Sequence, residues 1–422
     1  MFIINKSYPF YLLIILSGSF NIRELGTETP YFILLLAISY SFFILLFSKK
    51  SNVNKLEKIS EVDKKLNRTP WLTAYFKYCW ISLIFVWSYG VLVGLLNSNP
   101  IEHVFRNFFG LVFYIAVFSL VYLKPKFTEM VNVIFFIFII QLIIGTHMSF
   151  GKIISLWDFN NINSMSDFRS GYSGAFTVGF IFLSVSLFYL TYKKEYLDRY
   201  NFKYLNSNFK ALLLFLFSSF LIIIPSFSKG FILSFSIYTL FFFIIIIFSI
   251  FFNLKIHTKS FIYLCSFIVI SFCLFHFLGD VLIYSFSSEE ESNSARNVQF
   301  GFLINELTFF GSGLGASLKS GFNSGGSGGY GFELTYISLI HKFGVLSIII
   351  FYSYLSIIGY AILNIIKKKY LMESFFCLGL MGFLVPGAGN PILISPITVL
   401  FHSIALYISY RLTISEQKNN SI

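Results

Sequence analysis

Three cations stand where an anionic substrate could be held. Arg169 lies in FRSGYSG just before an apolar run, Lys229 in PSFSKGF between two apolar runs, and Arg296 shortly after the acidic Glu289-Glu290-Glu291. Each alone reads as a snorkelling interfacial cation. Together, at the ends of three different apolar runs, they can converge on one anion, and Arg forks suit diphosphate oxygens. Glu333 opens the stretch ELTYISLIHKFG, where Leu334, Ile337 and Ile340 fall at helical spacing. Glu333 and Tyr336 share one edge of that helix, with His341 nearly opposite. A carboxylate at a membrane edge facing cations is a general-base candidate. It is also the kind of acid that a helix start favours through the macrodipole. His341 reads first as an interfacial helix residue.

Between these groups runs GSGLGASLKSGFNSGGSGGYG, residues 311–331, with nine glycines in 21 positions. Part of it reads as a flexible linker. Gly311, Gly313 and Gly315 form a GxGxG, but no βαβ unit follows, and a GxxxxGK[ST] phosphate loop is absent. The spacing suggests a turn whose bare backbone lets N–H groups approach a phosphate or sugar. The preceding ARNVQFGFLINELTFF is amphipathic, with apolar residues at 298, 302 and 303.

The elements that must position these residues are membrane helices. Of 422 residues, 56% are hydrophobic and 12% charged, with 57 Phe and 26 Tyr, against a usual charged share of ~25%. Mean hydropathy is +0.76. A soluble enzyme, a nucleic-acid binder and a secreted disulfide scaffold are poor fits to these figures. Cys79, Cys265, Cys273 and Cys377 all sit in apolar runs without metal-ligand or CxxC spacing. The expected fold is all-α: one polytopic membrane domain over 1–422, with about 12 spans.

The spans fall roughly at 8–22, 31–48, 71–96, 108–123, 128–146, 173–192, 211–225, 231–252, 261–284, 344–366, 372–386 and 392–410. The first, seventh and eleventh are short enough to be half-buried or re-entrant. Ser17-Gly18-Ser19 leads straight into a second span, and Lys6 precedes the first, which favours a signal anchor over a cleaved leader. With both termini inside, 23 of the 31 Lys and Arg fall on the inner side, as the positive-inside rule asks. Two outer segments are long, 147–172 and, between the ninth and tenth spans, 285–343. Loops of that size carry function more often than short ones do. The chemistry is therefore expected on the outer face.

This ordered set of segments resembles the family of O-antigen polymerases and ligases, many-span proteins acting on undecaprenyl-diphosphate-linked sugars. The resemblance covers roughly 165–405. FRSGYSG resembles the family's Arg-and-Gly segment before a span, and PSFSKGFILSF its Ser-x-Ser-Arg-Gly segment, with Lys229 where Arg is usual. SARNVQFGFLINELTFFGSGLG resembles its Arg-then-Gly-x-Gly outer loop. ELTYISLIHKFG resembles the stretch where ligases carry His-Asn-x-Tyr-Leu. Glu333 stands at the His position, Tyr336 at the Tyr and Gly344 at the Gly. GAGNPILISPITVLF resembles the closing Asn-Pro segment. Glu in place of His favours a polymerase over a ligase.

The resemblance implies a glycosyltransferase at the periplasmic face of a bacterial inner membrane. Arg169, Arg296 and Lys229 would hold the diphosphate, Glu333 would take the acceptor's proton, and Tyr336 would orient sugar or base. Gly313 and Gly315 would shape the loop over the site, with His341 nearby. It implies no metal or other cofactor. The implied partners are undecaprenyl-diphosphate-linked glycans and the lipid bilayer, with a chain-length regulator as a further partner left open and no nucleic acid. Two rival readings stay open. One is a ligase that transfers glycan to lipid A-core; the other is a flippase for lipid-linked oligosaccharide, against which the lack of an internal repeat argues.

Overall fold

The computed structural model describes residues 71–118, 126–155, 177–191, 208–223, 229–251, 291–322, 332–390 and 392–420. The expected spans at 8–22, 31–48 and 261–284, the signal anchor, and Cys265 and Cys273 lie outside them. Within them the chain is helical and holds no strand. Five helices are long and apolar enough to cross a membrane: Trp71–Leu96, Phe127–His147, Thr335–Ile366, Leu371–Ala388 and Ile397–Ser415. Shorter apolar helices cover Val178–Leu190, Phe209–Ile223 and Gly230–Phe241.

The first described helix, α1 (Trp71–Leu96), and α2 (Ile101–Phe118) form a hairpin turned by Asn97-Ser98-Asn99-Pro100, with Ser98 at φ +58. The second helix starts earlier than the expected 108, because Pro100 offers the carbonyl that receives Val104 N–H. Next, α3 (Phe127–Ser155) runs into the expected outer loop 147–172, whose first nine residues are therefore helical. At 29 residues it is roughly 43 Å long, against a hydrocarbon core of about 30 Å. The next helix, α4 (Val178–Thr191), is apolar on every side and buried on every side from Val178 to Leu190. That is the behaviour expected of a helix without a polar face. It packs between α5 (Asn208–Ile223) and the later α10, and α6 (Lys229–Phe251) follows.

The segment 285–343, expected to lie outside, contributes two helices, α7 (Glu291–Asn305) and α8 (Thr335–Phe343). A tight turn at Gly344–Leu346 joins α8 to α9 (Ser347–Ile366), so the tenth expected span is longer than 344–366. The eleventh, Leu371–Ala388, is long and apolar enough to span but is not one continuous α-helix. Helix α10 (Leu371–Leu380) gives way to single turns at Met381–Phe383 and Pro386–Ala388. Gly379, Gly382, Pro386, Gly387 and Gly389 explain the break, since Gly and Pro are the weakest helix formers. The unwound backbone is buried within protein, where a membrane protein tolerates it. Finally α11 (Pro396–Asn420) packs against α1 and α2. Cys79 and Cys377 are free thiols in the apolar interior.

Candidate functional site

The site is built around α7. Asn293, Arg296, Gln299 and Leu303 recur every three or four residues and so share one face. That face is laid against the segment 332–334. Arg296 Nε donates to Glu333 Oε2 at 2.8 Å, and Arg296 Nη1 donates to Asn293 Oδ1 at 3.1 Å. Gln299 Oε1 accepts the Leu334 N–H at 3.1 Å. Leu303 closes the face by packing with Leu318 and Phe332. The apolar positions 298, 302 and 303 do not share one buried stripe. Leu303 is buried, Phe302 half-buried, and Val298 is 48% exposed. The inward face is the polar one that carries Arg296.

Helix α8 is likewise turned about. Its buried residues are Thr335, Ser338, Leu339, His341, Lys342 and Phe343, while Leu334, Ile337 and Ile340 are half-buried. Polar groups face inward because the broken α10 and the 311–315 loop offer backbone partners there. Thr335 Oγ1 donates to the Asn390 carbonyl at 2.5 Å, and the Tyr336 hydroxyl donates to the Leu384 carbonyl at 2.6 Å. Tyr336 thus braces α8 against the unwound segment.

Asn390 gathers the rest. Its side-chain amide donates to the Pro386 carbonyl at 3.1 Å. Gly230, at the start of α6, lies so close that a Cβ there would sit 2.9 Å from Asn390 Nδ2 and 3.2 Å from Pro386 Cα. A Cβ on Gly389 would lie 3.6 Å from Arg296 Nε. Positions 230, 296, 333–336 and 389–390, from four distant parts of the chain, therefore meet at one place. Lys229 opens α6 next to Gly230, so its backbone is at this place. Arg169 lies outside the described residues.

The glycine motif does different work from the one its pattern suggests. Gly311, Gly313 and Gly315 take φ of +76, +80 and +77, a region that glycine enters freely. Their N–H groups do not wait for an anion. Gly311 N–H goes to the Thr308 carbonyl, Gly313 N–H to the Lys342 carbonyl and Gly315 N–H to Asn107 Oδ1. Ser312 and Leu314 N–H go to the carbonyls of His341 and Gly90. The Asn99 amide donates to both the Ser312 and Leu314 carbonyls at 3.0 Å. The loop is a clasp that fastens α8 to the α1–α2 hairpin. The expected approach of its N–H groups to a phosphate or sugar is corrected accordingly.

His341 and Lys342 belong to the clasp. The His341 ring is buried edge-on to Phe332, with Nε2 3.4 Å from Ser312 Oγ. Lys342 Nζ donates to Asn107 Oδ1 at 3.1 Å and lies 5.2 Å from the centre of the Phe332 ring. Both are thus engaged with the 311–315 loop, Asn107 and Phe332. Asn293, Gln299, Thr335, Gly389 and Asn390 also gather around Arg296 and Glu333; of these only Gly389 and Asn390 lie in a segment singled out from the sequence, as part of its Asn-Pro motif. Asn293 and Gln299 were readable there as the residues three before and three after Arg296. No protein-family model matches the chain, and no curated protein matches it in sequence.

A half-buried guanidinium and a more exposed carboxylate, 21% and 36% accessible, offer two kinds of chemistry side by side. The guanidinium can hold an anionic oxygen pair and stabilise charge as it develops. The carboxylate can accept a proton from a hydroxyl within hydrogen-bond reach.

Proposed function

We propose that this chain is an O-antigen or related surface-polysaccharide polymerase, a glycosyltransferase using undecaprenyl-diphosphate-linked oligosaccharide. The observation that carries the reading is the meeting of Arg296 and Glu333, at 2.8 Å, with the Asn390 segment and the start of α6. These are the segments on which the family resemblance rests. In this reading the chain crosses the bacterial inner membrane about twelve times with both termini cytoplasmic, and the site opens to the periplasm. The inner excess of Lys and Arg supports that orientation.

The reaction follows from the two groups. The terminal sugar hydroxyl of one lipid-linked repeat attacks the anomeric carbon of the growing glycan. The new C–O bond forms as the bond to the carrier diphosphate breaks. The diphosphate leaves with the electron pair, held by Arg296, and the hydroxyl proton passes to Glu333. Lys229 and Arg169 are proposed as further diphosphate contacts.

The test is a surface-polysaccharide gel of cells lacking the protein, beside cells complemented with wild type or Arg296→Ala. Collapse of the ladder to core plus a single repeat, unrelieved by Arg296→Ala at equal protein level, is the expected result. Loss of all glycan from the core, with long chains left on the carrier, would make it a ligase. Single repeats trapped on the cytoplasmic side would make it a flippase.

A further inference from the structure

The ion pair that marks the site also occupies it. Arginine carries five N–H donors, and in Arg296 two are used: Nε on Glu333 and one of Nη1 on Asn293. The remaining three have no partner among the described residues. The pairing with Glu333 is therefore one-point, through Nε, and leaves the far edge of the guanidinium open. Glu333 Oε1 likewise has no partner among the described residues.

The chain immediately after the carboxylate is held. Leu334 N–H is bound to Gln299, and the Thr335 hydroxyl to the Asn390 carbonyl. What can move is the Glu333 side chain itself, more than a third exposed and free of regular structure at its Cα.

We infer that Glu333 serves as the resident counter-ion of Arg296, which an arriving polyprenyl diphosphate displaces. The inference rests on the reading of Arg296 as the diphosphate-binding residue. A diphosphate and a carboxylate on one guanidinium are like charges a few ångströms apart, and such a pair repels. Donor binding therefore turns the carboxylate away from Arg296 and leaves its oxygens to accept a hydroxyl proton. The base is tied up in the empty enzyme and released only when the leaving group is seated. That order, donor before acceptor, keeps the base from working on an acceptor with nothing to react with.

Charge competition has a signature that simple cooperation lacks: removing the base should improve donor binding. The full chain in lipid nanodiscs is titrated with undecaprenyl diphosphate, and with undecaprenol as the control for the tail alone. Glu333→Gln should bind the diphosphate roughly tenfold more tightly, a change equivalent to ~1.4 kcal/mol, while extending no chains. Glu333→Asp, which keeps the charge and checks the fold, should bind close to the parent. Arg296→Ala should lose diphosphate binding, and undecaprenol binding should not change in any variant. Equal or weaker binding by Glu333→Gln, with Arg296→Ala still defective, would overturn the displacement and leave the proposed polymerase standing. Parent-like binding by Arg296→Ala would overturn both the displacement and the assignment of Arg296, and the gel would still decide the activity.

Discussion

At the scale of single residues, the clasp makes the sharpest demand. A Cβ on Gly313 would sit 2.1 Å from the Gly94 nitrogen, at a φ of +80 that an alanine adopts only with strain. Gly313→Ala should cost roughly 2–5 kcal/mol, from left-handed strain plus overpacking. The check is its thermal unfolding midpoint in detergent beside wild type. Arg296 and Glu333 were legible in the sequence because a charge in a chain this apolar needs a reason to be there. The roles of Thr335, Gly389 and Asn390 were not. Neutral polar groups and glycines carry no periodic signal, and the Thr335–Asn390 bond joins residues 55 apart. Gly311, Gly313 and Gly315 were visible as a motif but were assigned to the wrong partner. A glycine-rich turn suits an approaching phosphate and an approaching helix backbone equally well, and the sequence does not tell them apart.

Among elements, the order and approximate limits of the described helices followed from hydropathy, which is the strongest signal an apolar chain carries. What hydropathy missed was facing. Helices α7 and α8 each bury the polar side, because their partners are the unwound end of α10 and the 311–315 loop. Both partners expose backbone carbonyls and N–H groups that side chains must satisfy. The hairpin turn between α1 and α2 supplies the other half of the clasp through Asn99. Asn99→Ala removes one amide that serves two carbonyls, those of Ser312 and Leu314. An expected loss of about 1–3 kcal/mol should appear as faster amide hydrogen exchange at residues 312–315, with the rest of α1 unchanged. Unaltered exchange there would mean that the loop holds its place without Asn99.

For the whole molecule, the placement of charge predicts which side each end of α9 faces. The exposed Ser294 on α7 precedes Arg296, and Lys367, Lys368 and Lys369 follow the other end of α9. A cysteine at Ser294 should react with a membrane-impermeant maleimide in cells with a permeabilised outer membrane. A cysteine at Lys368 should react only after lysis. The reverse pattern would invert the proposed orientation and put the Arg296–Glu333 pair in the cytoplasm. The span count is a second whole-molecule matter on which sequence and structure differ in kind. Twelve apolar runs can be counted in the sequence, and five helices among the described residues are long and apolar enough to cross a membrane. In the run 372–386, α10 ends at Leu380 and single turns follow, with Gly389 just beyond them lying against Arg296.

The meeting of four distant segments also sets a timetable for biosynthesis. During synthesis Gly230 emerges first, then Arg296, then Glu333, and Asn390 last of all. Until the backbone at 386–390 has been threaded into place, Thr335 lacks the carbonyl it binds and Gly389 is not yet against the guanidinium. A nascent chain halted after α9 would already own both charged groups yet have no completed site. On the proposed reading, the site is therefore completed only when the final helices are in place, and a chain truncated before residue 386 should extend no glycan.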